Sequence, residues 1–185
     1  MWSHYENEAM KRSAQSWGRF LWVWLLFVWI AIAVGGAVTG AVWGATGFDC
    51  DEPARVVVEG PCPVSLDPTA TQLASYAIGG AIRLGLASAY IGYAPAFLFA
   101  VSATALGWLL RKQDSSRGAR SALWIALLGG TGGSVVVLLR SDVAGDLYFW
   151  VGLLVVFGLV ATGIEHADRL AGGPFPTAPV TDSGP

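Results

Sequence analysis

The sequence predicts an all-α, polytopic membrane protein with four transmembrane helices, an additional outer helix that is interfacial or re-entrant, and a disulfide-closed outer loop. Of the 185 residues, 54% are hydrophobic and only 13% are charged, a balance that a water-soluble domain of this size does not need for its core. The apolar residues also form long segments, with no long polar block between them. We therefore expect a single membrane domain, 20–170, between a cytoplasmic N-terminal tail, 1–19, and a Pro-rich, disordered cytoplasmic tail, 171–185.

The first predicted span, 20–44, contains no charged residue. At about 1.5 Å of rise per residue, a helix of this length reaches about 37 Å, enough to cross a hydrocarbon core of about 30 Å with some tilt. Its second half places Gly36, Gly40 and Gly44 four residues apart, a pattern that lets another helix approach closely. A cleaved leader is the alternative, although the apolar run is longer than that of a typical signal peptide.

Basic residues beside the apolar segments predict the orientation. Lys11, Arg12 and Arg19 precede the first span, and basic residues close to a span are retained in the cytoplasm. The segment 111–120 carries four basic residues and one acidic residue, so the same rule places it in the cytoplasm. We therefore expect both termini on the cytoplasmic side of a prokaryotic inner or plasma membrane, and the acidic segment 45–71 outside.

The predicted outer loop, 45–71, contains the two cysteines of the chain, Cys50 and Cys62. Because the predicted orientation places them in an oxidising compartment, we expect them to form a disulfide. Closing so short a loop constrains the unfolded chain by about 3 kcal/mol in the chain-entropy treatment. A redox-active pair is usually spaced C-x-x-C, and a metal site needs further Cys or His ligands that this loop lacks. A structural bridge is therefore the prediction.

The apolar segment 72–110 is too long for one ordinary span and just long enough for two. The chain enters it from outside and leaves it at the cytoplasmic segment 111–120, so an odd number of crossings is required, and we assign one, 91–110. The preceding residues, 71–90, are predicted to form a helix that lies at the outer interface or enters the membrane partway. Two spans joined by a tight turn near 92–95 are the alternative, and they would place 111–120 outside.

Two further spans complete the predicted topology: 121–139, and 147–164, which returns the chain to the cytoplasm. A cluster of glycines interrupts the first of these two spans. The cluster indicates either a packing notch for another helix or an unwound turn beside a polar cavity, and packing is the commoner use. The predicted helix-packing residues are Gly36, Gly40, Gly44, Gly129, Gly130, Gly132 and Gly133.

The sequence contains few residues that could form a catalytic or ligand-binding site. The four predicted spans contain no charged residue, and Arg83, in the predicted outer helix, is the one charged residue within an apolar segment. We expect it to snorkel to the outer headgroups or to pair with a loop acid such as Asp67; a site for an anionic lipid or substrate is the alternative. The two histidines, His4 and His166, lie at the predicted cytoplasmic margins, and the sequence has no nucleophile elbow, P-loop or dinucleotide fingerprint. We therefore predict no catalytic residue, no metal site, no cofactor and no nucleic-acid partner.

The sequence favours a non-enzymatic accessory or structural subunit of a larger membrane assembly. Its expected partners are membrane lipids and other membrane subunits, or further copies of the chain. The glycine faces support helix contacts, and the nine tryptophans are expected mainly at interfaces and on lipid-facing surfaces. The alternative is a small oligomeric channel or transporter with a path lined by the glycine-rich third span or by the Arg83 segment.

Overall fold

The computed structural model describes residues 2–46, 69–110, 115–140 and 147–170. Within these ranges there is no strand, and the helices are α1 Trp2–Thr46, α2 Ala70–Leu110, α3 Ser115–Arg140, α4 Leu147–Glu165 and α5 Ala167–Leu170. The first four helices are each long and apolar enough to cross a membrane. The described chain is all-helical, as predicted, and has the helices of a multi-pass membrane protein.

Large apolar side chains cover the outside of the bundle. Trp22 on α1, Tyr90 on α2, Leu128 on α3 and Leu154 on α4 are each more than half exposed. A water-soluble monomer rarely exposes apolar surface on all sides in this way. Hydrocarbon is the solvent that suits this surface.

Helices α1 and α2 form a long antiparallel hairpin. A Cβ atom added to Gly40 would overlap the carbonyl oxygen of Gly80, and one added to Gly80 would overlap that of Gly40. The two backbones are therefore in direct contact, which only glycine allows at this separation. The same register brings together residues along both helices: Gly44 with Tyr76, Ile32 with Gly92, Trp24 with Phe99, and Trp17 with Gly107.

The structure joins the segment 71–90 to the span that follows it. The sequence predicts an outer interfacial or re-entrant helix at 71–90 before the span 91–110, but α2 is one helix of 41 residues that continues through 90 and 91. The predicted boundary between the two is therefore absent from α2, while the outer or re-entrant position of 71–90 stays a prediction. Residues 76–92 of α2 lie along 32–44 of α1, which is the second half of the first predicted span. Small residues in this part of α2 allow that side-by-side packing, whereas the prediction gave more weight to Arg83. A single continuous helix still crosses once, as the predicted topology requires.

Two further features concern a proline and a helix end. Pro95 lies inside α2 without ending it, although proline removes one backbone hydrogen bond; neighbouring helices commonly compensate for this loss in membranes. Helix α1 begins at Trp2, so residues 2–19 of the predicted N-terminal tail are helical and continuous with the first predicted span.

The large buried side chains are concentrated at one end of the bundle, which we call the closed end. It contains the first half of the apolar part of α1, the last third of α2, the first half of α3 and the end of α4. Its largest fully buried side chains are Phe20, Trp24, Leu25, Leu123, Val160 and Ile164. Alanines fill the spaces between them on α2 and α3, namely Ala96, Ala100, Ala103, Ala119, Ala122 and Ala126.

Trp24 occupies the centre of this core. It is 0% exposed, and its ring lies 5.5 Å from that of Phe27 and 6.3 Å from that of Phe99. These tilted and edge-to-face contacts are favourable for aromatic rings. Trp22, which is 59% exposed, fits the expected lipid-facing tryptophan, but Trp24 does not. Its core position depends on tertiary packing that a local pattern does not reveal.

Neighbouring glycines of α2 provide a matched test of the hairpin. Gly80→Ala places a methyl group against the backbone of α1, whereas a Cβ at Gly79 has no atom within 4 Å. We expect Gly80→Ala to lower the free energy of unfolding by about 1–3 kcal/mol through overpacking. Gly79→Ala should leave it unchanged or raise it by up to about 1 kcal/mol, because alanine is the better helix former.

The measurement is denaturant unfolding in detergent micelles, followed by circular dichroism. Equal effects of the two substitutions would contradict a direct backbone contact at Gly80.

Candidate functional site

At the end opposite the closed end, where the second half of α3 is largely exposed, the four long helices surround a cleft of about 340 Å³, which we call the open-end cleft. Every one of the four helices contributes to its wall. The lining includes Gly35, Gly36 and Thr39 of α1, Leu84 and Ser88 of α2, Gly130, Thr131 and Ser134 of α3, and Phe149, Gly152 and Val156 of α4.

A buried threonine connects two walls of the cleft. Thr39 is 5% exposed, and its hydroxyl donates to the carbonyl oxygen of Gly35 at 2.9 Å, with the carbonyl oxygen of Tyr148 at 3.3 Å. Tyr148 belongs to the first turn of α4, so this hydroxyl links α1 to α4. Gly152 makes the close approach possible, because a Cβ there would overlap the threonine hydroxyl.

The cleft offers hydrogen bonds but no ionisable group among the described residues that line it. Hydroxyl groups come from Thr39, Ser88, Thr131 and Ser134, and the last of these donates to the Gly130 carbonyl oxygen at 2.9 Å. General acid–base catalysis and nucleophile activation depend on groups such as His, Asp, Glu, Cys or Lys. The described cleft is therefore suited to holding a neutral or apolar group.

One residue of the α3 glycine cluster, Gly130, lines this cleft. Cβ atoms added at Gly129, Gly130, Gly132 and Gly133 would meet no atom of another helix within 4 Å among the described residues. The helix is continuous through the cluster, so the unwound turn that we considered is not formed. The second half of α3 therefore presents a bare glycine face.

The glycines of α1 have a different environment. Cβ atoms added to Gly36 and Gly44 would overlap the Ser88 side chain and the Tyr76 carbonyl oxygen, both on α2. The sequence left open which helix fills this face, and in the structure it is α2 of the same chain. A signal for this pairing is present in the sequence, because Gly80, Ser88 and Gly92 are also separated by multiples of four residues.

Arg83 lies on the exposed side of α2 and makes no ion pair or hydrogen bond with the described residues. The hairpin register, in which Gly40 meets Gly80, places Arg83 opposite position 37 of α1. That level is about 10 Å from Gly44, the end of the first predicted span, on the side towards the middle of the membrane. A charge at this level is costly unless it snorkels or is paired.

Some predicted features lie outside the described residues. These include Cys50 and Cys62, most of the predicted outer loop, and the tail 171–185. Within the described ranges, no group of three or more His, Cys, Asp or Glu residues is placed to hold a metal ion.

No protein-family model, curated protein or solved structure shows significant similarity to this chain. Its function is therefore inferred from the geometry of the helices.

The link between α1 and α4 can be tested by removing the Thr39 hydroxyl. Thr39→Val keeps the shape of the side chain but removes the donor to the Gly35 and Tyr148 carbonyl oxygens. We expect the free energy of unfolding to fall by about 0.5–1.5 kcal/mol, the usual range for a hydrogen bond between membrane helices.

Thr162→Val is the matched control. The Thr162 hydroxyl is exposed and bonds only to the Gly158 carbonyl oxygen of its own helix, at 2.8 Å. Detergent-micelle unfolding of the two variants, compared with the wild type, gives the measurement. A loss at position 39 no larger than that at position 162 would argue against a link between helices.

Proposed function

We propose that this chain is a non-enzymatic accessory or structural subunit of a larger membrane assembly, and that the second half of α3 packs against a helix of another subunit. The observation that carries the proposal is that, in the part of the chain that the structure describes, no other helix has an atom within 4 Å of a Cβ position at the four glycines of α3. We further propose that both termini lie on the cytoplasmic side of the cell membrane. Cys50 and Cys62 form a disulfide in the outer loop under the same proposal.

The energetics of glycine in a helix support a packing role. Each glycine weakens a helix by roughly 1 kcal/mol relative to alanine in soluble hosts. At Gly36, Gly40 and Gly44, close contact with α2 offsets that cost. The α3 cluster has the same composition but no helix against it. A partner helix would supply the missing contacts, because backbone approach and dispersion hold helices together where lipid is as apolar as leucine.

The proposed position of the partner follows from the lining of the open-end cleft. Of the four open glycines, Gly130 lines the cleft, whereas Gly129, Gly132 and Gly133 do not. We therefore place the partner helix against the side of α3 that carries these three glycines, outside the cleft. The exposed side chains of Val136 and Val137 continue the glycine face towards the end of α3.

A small oligomeric channel or transporter is the second candidate, and the cleft is the observation in its favour. Hydroxyl groups from α1, α2 and α3 face a space that all four helices line. The buried side chains of Trp24, Phe99 and Leu123 fill the closed end, so a path through one chain would require that core to open. We rank this function second for that reason.

Leucine substitutions at open glycines test the proposed subunit contact. Gly132→Leu fills the proposed docking face, and Gly158→Leu is the matched control, because both positions have no atom within 4 Å of an added Cβ. In native mass spectrometry after mild extraction, the wild type and Gly158→Leu should remain in a complex of the same mass. Gly132→Leu should lose at least 90% of that complex.

Photo-crosslinking tests whether the second half of α3 contacts another subunit, and it does not depend on whether the complex survives purification. A photoreactive residue at Val136 should give one cross-linked membrane subunit, and the same residue at Leu154 of α4 should not. A wild-type chain that purifies strictly alone, or equal retention of the complex by both leucine variants, would contradict the proposal. Ion or solute flux in vesicles that Gly132→Leu abolishes would favour the channel or transporter instead.

A further inference from the structure

A second surface depression lies between α1 and α2 and shares no lining residue with the open-end cleft. We call it the hairpin groove. Its volume is about 490 Å³, and its lining is almost entirely apolar: Trp29, Ile30, Ala33, Val34 and Ala37 of α1, and Ala81, Ile82, Gly85, Leu86 and Ala89 of α2. The one side-chain donor, the Trp29 indole nitrogen, is already bonded to the Ala89 carbonyl oxygen at 2.6 Å.

Arg83 does not itself line the hairpin groove, but it adjoins a residue that does. It is three residues before Leu86, so the two side chains are neighbours on the surface of α2. Ile82 and Leu86 line the groove, and Arg83 itself is exposed without an ion pair or hydrogen bond in the described chain. A guanidinium with no partner among the described residues therefore lies beside a long apolar depression.

We propose that the hairpin groove and Arg83 together bind an anionic glycerophospholipid, with the phosphate against the Arg83 guanidinium and one acyl chain in the groove. Guanidinium groups bind phosphate oxygens through paired, charge-assisted hydrogen bonds. The apolar lining suits a hydrocarbon chain, which has no polar group to satisfy.

The direction of the groove favours a lipid over other occupants. Along α1 it extends from position 37, the level of Arg83, to Trp29, a distance of about 12 Å. Trp29 is close to the middle of the first predicted span, so the groove leads from the charge towards the membrane centre. A lipid has its phosphate and acyl chain in that order. A free anion would not use the groove, and a partner helix would continue past Trp29 to the other side of the membrane.

Native mass spectrometry of the full chain tests whether the charge of Arg83 selects an anionic lipid. The protein is extracted in mild detergent and incubated with equal amounts of dioleoylphosphatidylglycerol and dioleoylphosphatidylcholine, which differ only in the headgroup. We expect the wild type to retain the anionic lipid in preference to the zwitterionic one. Arg83→Ala should reduce that preference about five-fold, the effect of one basic residue near an anionic lipid. Arg140→Ala, which removes an exposed arginine away from the groove, should leave it unchanged.

A substitution within the hairpin groove tests whether an acyl chain occupies it. Ala33→Leu fills part of the groove and should lower retention of both lipids at least three-fold, while Ala87→Leu, on the exposed side of the same hairpin, should not. Circular dichroism and unfolding in micelles show whether each variant is folded. A folded double variant, Ala33→Leu with Arg83→Ala, should retain neither lipid above the level of the detergent background.

Three results would overturn the proposal. The first is an unchanged preference for the anionic lipid in Arg83→Ala. The second is equal retention in Ala33→Leu and Ala87→Leu. The third is displacement of the lipid by millimolar glycerol 3-phosphate, since this result would assign Arg83 to a free anion with no contribution from the groove.

Discussion

Backbone contact between Gly40 and Gly80 is the constraint on which the other features of this protein depend. In hydrocarbon, apolar side chains gain little by leaving lipid for one another, so membrane helices are held by close packing and by hydrogen bonds. The contact fixes the register of the α1–α2 hairpin. That register sets the level of Arg83 in the membrane, forms the hairpin groove on one surface, and aligns Gly36 and Ser88 in the wall of the open-end cleft.

The two ends of the bundle differ in how the helices fill the space between them. At the closed end, aromatic side chains such as Trp24 and Phe99 are packed among alanines, and little volume is left. At the open end, the second half of α3 carries glycines in place of large side chains and is largely exposed. The space beside it is therefore less filled than the space at the closed end. A membrane protein retains such a space at a cost in packing, so we assign the proposed partner contact to this end.

Much of the fold can be predicted from local patterns. Apolar length predicts four long helices, and the spacing of Gly36, Gly40 and Gly44 predicts a close helix contact. The identity of the contacting helix is a property of the folded hairpin, although the repeat of small residues from Gly80 to Gly92 carries a signal for it. The role of Thr39 depends on the carbonyl oxygen of Tyr148, far away in the sequence. The burial of Trp24 depends on a core that other helices share, including Phe99 of α2. Long-range contacts of this kind leave no local pattern.

An engineered disulfide across the hairpin is the most direct test of its register. A Cβ at Gly85 would lie 3.2 Å from the Ala37 Cβ, close to the usual separation of about 3.8 Å in disulfides. In a background of Cys50→Ser and Cys62→Ser, the pair Ala37→Cys and Gly85→Cys should form a bond within one chain under mild oxidation in membranes. The control pair, Ala37→Cys and Ala87→Cys, should not. Failure of the first pair to form, or bonds only between chains, would contradict an α1–α2 hairpin packed at this register.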